Sequence, residues 1–82
     1  MEYLLTPHAK ARLAERSIPE KLIGEALWNP TAVSYNGHGR MLIKKLYRKR
    51  RRERLLLIAG EMMNSTLKII TVIDTSKVKK YL

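Results

Sequence analysis

The apolar residues of this chain change their spacing at Asn29-Pro30, and that change limits the fold more than any other feature. Before it the spacing is helical. Thr6 followed by Pro7 starts a helix over "PHAKARLAER", because Thr caps well and Pro suits the first helical position. Ala9 and Leu13 lie on one side of it, a narrow apolar stripe. Ser17 and Glu20 then have capping-box spacing, with Pro19 early in the turn. The second predicted helix, "PEKLIGEALW", puts Leu22, Ile23, Ala26 and Leu27 within a sector of about 140°. The residue before a proline disfavours helix, so Asn29-Pro30 ends it.

After the break the pattern is that of strands. "TAVSY" is a short strand closed by the turn-forming "NGHG". "RMLIKKLY", "RLLLIAGEM" and "LKIITVID" follow as three more, and the last, rich in Ile, Val and Thr, is expected inside the sheet. "TSKVKKYL" is a basic tail that either adds a short extra edge strand or frays. The pattern predicts an α+β fold: two N-terminal helices packed on one face of a four-stranded antiparallel sheet. With 82 residues it is read as one domain over 1–82, too small for a deep internal pocket.

There is no cysteine, which excludes disulfides, thiolate metal sites and a cysteine nucleophile. Two histidines with few acids make a poor metal site, so neither metal nor cofactor is expected. "MEYLLTPHAK" does not read as a signal peptide, and no apolar run approaches a membrane span. A soluble cytoplasmic protein is the expectation. The 17 basic residues against 7 acidic ones, a formal charge of +10, call for a polyanionic partner.

Much of that charge lies in "LYRKRRRERL", where six of the seven residues from Arg48 to Arg54 are basic. Between two strand patterns, the run reads as their connection. Lys44, Lys45, Arg48, Lys49, Arg50, Arg51, Arg52 and Arg54 are the predicted phosphate-binding residues, with Lys45 and Tyr47 on one face of their strand and Lys44 and Arg48 on the other. Such a ribbon grips backbone without reading sequence. A solvated loop guarding a sheet edge is the plainer alternative.

A second group lies on the first helix. His8, Arg12 and Arg16, four apart, share about 80° of its surface. An imidazole can take a proton from a ribose 2′-hydroxyl, and guanidinium groups can hold a phosphate and its developing charge. The plainer reading has His8 satisfied by water and the arginines paired with Glu15 or Glu20. His38 reads as an exposed turn residue, and Trp28 as core or helix-sheet packing. Tyr47 reads equally as a stacking or a packing residue, and Thr71 has a role only if its strand faces a groove.

The "HAKARLAERSI" helix, the helix ending in "NP", the basic strands and the closing "TVIDTSKVKKY" resemble domain-of-unknown-function family 4258 over nearly the whole chain. That family is similar to the RelE, barnase and colicin group of small ribonuclease folds. The resemblance implies a metal-independent RNA endonuclease, a toxin of a toxin–antitoxin pair, with His8, Arg12 and Thr71 lining the site beside basic residues such as Lys44 and Arg16. It also implies RNA, free or on the ribosome, and an acidic antitoxin as partners. By elimination, Glu53 and Glu61 are the candidates for a second acid–base group. A non-catalytic nucleic-acid-binding or protein-interaction module is the alternative. The exposed edge strands and the tail could pair in a homodimer.

Overall fold

The computed structural model describes residues 2–82, and it corrects the predicted four-stranded antiparallel sheet. The sheet is five-stranded and mixed, ordered β1-β5-β4-β3-β2. The strands are β1 (Glu2–Leu5), β2 (Ala32–Tyr35), β3 (Arg40–Lys49), β4 (Arg52–Met63) and β5 (Thr66–Thr75). The helices are α1 (Pro7–Glu15), α2 (Glu20–Trp28) and α3 (Val78–Tyr81). β2 to β5 form an antiparallel meander. β1 adds in parallel to β5, Glu2 opposite Thr66 and Leu5 opposite Ile69. Four residues with two leucines carry too little pattern to announce a strand, and only pairing with β5 makes one. The C-terminal tail forms the one-turn α3 where an edge strand was allowed for.

The first helix starts as its sequence demands. Thr6 Oγ1 accepts from Ala9 N at 3.1 Å, and Pro7 stands first in the helix. Its end differs from the expected capping box. Ser17 takes a left-handed φ of 53°, with Ser17 N donating to Ala14 O and Ile18 N to Leu13 O. This is a Schellman stop, with Leu13 and Ile18 both in the core cluster. Glu20 is left to accept from the Tyr3 hydroxyl at 3.2 Å.

α1 and α2 cover one sheet face. Ala9, Leu13, Leu22, Ile23 and Ala26 meet Met41, Ile43, Leu56, Ile58, Leu67, Ile69 and Val72 there. Each fully buried aliphatic side chain contributes about 1.5–3 kcal/mol of transfer free energy. Trp28 departs from its expected packing role and is 87% exposed. At 100° per residue it falls about 100° beyond the apolar stripe of α2.

Two local departures from regular sheet position the site. One is a bulge in β5: Ala59 pairs with Thr71 but Gly60 with Ile69, so Ile70 is supernumerary. Gly60 permits the close approach, since a Cβ there would lie 2.8 Å from Leu67 Cδ1 and 3.0 Å from Lys68 O. The bulge also shifts the alternation. Leu67 and Ile69 point to the core before it, and after it Val72 does, while Ile73 is 50% exposed.

The other departure is the basic connection. Its expected loop shrinks to two residues, Arg50 and Arg51, at φ 53° and 67°. A two-residue hairpin favours this left-handed pair because it matches strand twist, but normally uses Asn-Gly. Non-glycine residues there cost roughly 1 kcal/mol each. Arg50→Asn with Arg51→Gly is therefore expected to stabilise the fold by about 1–2 kcal/mol in urea denaturation. No gain would mean that the turn is not strained in this way.

Candidate functional site

The hairpin's tightness decides where its charges go. Directly paired residues share a face, so Tyr47 with Arg54, Lys45 with Leu56 and Lys49 with Arg52 all lie on the helix-covered side. Lys44, opposite Leu57, and Arg48, opposite Glu53, lie on the other. The predicted phosphate-binding set is thus divided between two faces. Lys45 is committed to structure, its Nζ donating to Asn29 O at 2.8 Å. Arg48 bonds to Arg51 O across the turn at 3.4 Å.

On the helix side the hairpin meets the C-terminal end of α1. Lys49 Nζ lies 3.4 Å from Arg16 O, a cation against the carbonyl end of a helix. Arg16, Lys49, Arg50, Arg52 and Arg54 line one cavity of about 580 Å³. It joins one residue of the predicted helix stripe to four of the predicted hairpin set. Two acids, Glu15 and Asp74, line it as well.

Asp74 is the residue that sequence reading passed over. Its side chain is 6% exposed. Arg54 Nε lies 2.9 Å from Oδ1 and 3.1 Å from Oδ2, and the Tyr47 hydroxyl donates to Oδ1. Burial acts to raise the carboxyl's pKa. The hydrogen bonds from Arg54 and Tyr47, with the charges of Arg54 and Lys49, outweigh burial and hold it below the ordinary value. Burial, then the bond to Asp74, push the Tyr47 hydroxyl up to about 12 against the opposing pull of Arg54. Tyr47 is therefore a packing and hydrogen-bonding residue, committed to Asp74. The Arg54 guanidinium is fixed through Nε, and among the described residues its Nη groups form no hydrogen bond.

His8 occupies the other end of α1. β1 stops at Leu5 opposite Ile69, and the chain turns into α1 while β5 continues without that neighbour. Thr6 Oγ1 donates to Ile70 O at 3.1 Å, anchoring the helix start at the bulge. The next bulge residue, Thr71, has its hydroxyl 3.2 Å from His8 Nε2. The expected role of Thr71 thus has a contact under it: the hydroxyl can fix the ring. Among the described residues no hydrogen bond is formed at Nδ1 of the exposed His8 side chain.

No family model, curated protein or solved structure matches this chain. What the site does has to be argued from its own residues. Arg12, between His8 and Arg16, stands 3.7 Å from Glu15 in an exposed pair. That is the plainer reading of Arg12 in part, but such a pair contributes at most about 1 kcal/mol and yields readily to a phosphate. Glu61 lies 3.7 Å from Arg40, and Glu53 faces away from the cavity's arginines opposite Arg48, so neither joins His8. His38 is exposed in its turn, its N–H bonded to Asn36 Oδ1 at 2.9 Å. Among the described residues no three His, Asp or Glu side chains gather, and no helix is long and apolar enough to cross a membrane.

Proposed function

We propose that this protein binds RNA along α1 and cleaves its backbone. The observation behind this reading is that one nine-residue helix connects an oriented histidine to a cationic cavity. His8 Nδ1 takes the proton of a ribose 2′-hydroxyl. The 2′-oxygen attacks the adjacent phosphorus, and the bond from phosphorus to the 5′-oxygen breaks. The departing 5′-oxygen takes a proton from the histidinium or from water. The products are a 2′,3′-cyclic phosphate and a 5′-hydroxyl. No step calls for a metal ion. Arg12, one turn along from His8, stabilises charge on the phosphorane oxygens. Arg16 and the hairpin cations anchor the strand.

An RNA target would place the activity in the cytoplasm, and a ribonuclease of this kind suits the toxin half of a pair whose acidic antitoxin covers the cationic face. Purified protein incubated with labelled RNA, with and without ribosomes and in chelator, tests the chemistry. His8→Ala is expected to lower the cleavage rate about 10²–10⁴-fold. Identical RNA after incubation with wild type and variant would remove the assignment.

A further inference from the structure

The cavity at the end of α1 holds more positive charge than one internal phosphate can use. Among the described residues the carboxylate ion pairs are Arg12–Glu15, Arg40–Glu61 and Arg54–Asp74. Arg16, Lys49, Arg50 and Arg52 line the cavity and take part in none of them. A phosphodiester brings one negative charge, whereas a phosphate monoester carries about −1.5 to −2 near neutral pH. Clustering four cations that repel one another is best offset by the more highly charged group.

The position of the cavity makes the same point. The stripe His8, Arg12, Arg16 ends there, because Ser17 turns the chain out of the helix. Arg50 sits at the hairpin tip, so the cavity closes one end of the path. The face stops where a strand would stop. Arg54, held through Nε by buried Asp74, supplies a guanidinium whose direction is already set.

We propose that this cavity binds the terminal phosphate monoester of an RNA strand and so measures the distance to the cut. The proposal rests on the RNA reading of His8. Eight residue steps lead from His8 along α1 to Arg16 at its C-cap, about 12 Å at 1.5 Å per residue. At about 3.4 Å per stacked nucleotide, and roughly twice that when extended, the scissile bond falls about two to four nucleotides from the phosphorylated end.

The test uses one short single-stranded RNA sequence in three forms: 5′-phosphate, 3′-phosphate, and hydroxyl at both ends. Made with 2′-O-methyl riboses, the strands cannot be cut, and fluorescence anisotropy reads binding alone. One phosphorylated form should bind about tenfold more tightly than the hydroxyl form. Arg16→Gln with Arg52→Gln, both exposed changes, should bring that ratio close to one in a variant whose circular dichroism is unchanged. Lys68→Gln, on the sheet away from the cavity, should keep it. Equal binding of all three strands, or a preference that survives the double substitution, would overturn the proposal. The same strands with free 2′-hydroxyls report separately on cleavage. Cuts phased from the phosphorylated end support the measuring role, and cuts without phase defeat it. A phosphate preference with no cutting keeps the binding site and removes the nuclease reading instead.

Discussion

Replacing Asp74 by alanine is expected to lower stability by about 3 kcal/mol, a large share of what an 82-residue domain has. The carboxylate is held by both Arg54 and Tyr47, so its removal strands a guanidinium and a hydroxyl at once. Arg54 is 26% exposed, which keeps the loss at the lower end of the range for a broken buried pair. For a domain of this size the melting temperature should fall by roughly 10–20 °C. Far-UV circular dichroism is the suitable probe, because the single tryptophan, Trp28, is exposed and a poor reporter of core melting. A shift of only about 2 °C would mean that the network contributes nothing net.

The same network contributes to both ends of the pH profile. The Asp74 carboxyl is held below its ordinary value in the fold. Its contribution is therefore complete above about pH 4, where the unfolded carboxyl is ionised, and is lost as the pH falls below that. The Tyr47 hydroxyl is raised to about 12 in the fold. Its contribution is complete below about pH 10 and is lost as the pH climbs from there towards the raised value. Tyr47→Phe should reduce the alkaline loss, leaving the part due to the raised Tyr3 hydroxyl, and should also trim the acid one, because the Tyr47 hydroxyl helps hold the Asp74 carboxyl down.

RNA affinity should depend on one face only. Changing Arg16, Lys49, Arg50 and Arg52 together to glutamine removes four cations from the cavity. For single strands the slope of log K against log salt changes by about 0.7 per phosphate charge neutralised, so with a terminal monoester of about two charges in the cavity its magnitude should fall by about 1.4. At roughly 0.7 kcal/mol per exposed contact, affinity in low salt should drop about a hundredfold. Lys44→Gln with Arg48→Gln removes two cations from the opposite face and should leave the slope almost unchanged. Equal losses in the two variants would mean that RNA wraps the hairpin from both sides, against the single groove argued above.

Some of this was legible in the residues. The two helices, the start of the first at Thr6-Pro7, and the four later strands follow from period and capping, which are local properties. The grouping of His8, Arg12 and Arg16 follows from helical spacing alone. The hairpin was half legible. Its strands were expected, but the run of charge hid a two-residue turn, because Arg-Arg carries none of the Asn-Gly signal. Elimination points to Glu53 and Glu61 as partners for the site, whereas Asp74 in "VID" carries no local signal.

The reason is the bulge. Strict alternation from the core residues Leu67 and Ile69 would turn Thr71 and Ile73 inward and send Asp74 to solvent with Lys68 and Val72. The supernumerary Ile70 reverses that order, buries Val72 and Asp74, exposes Ile73, and leaves Thr71 beside His8. Sequence alone determined the charge, the helical stripe and most strand positions, since each depends on neighbours a few residues apart. Tertiary structure decided the parallel β1 and the pairing of Asp74 with Arg54 and Tyr47. Those depend on strand register between residues 20 or more apart, and a one-residue slip there moves every later side chain to the other face.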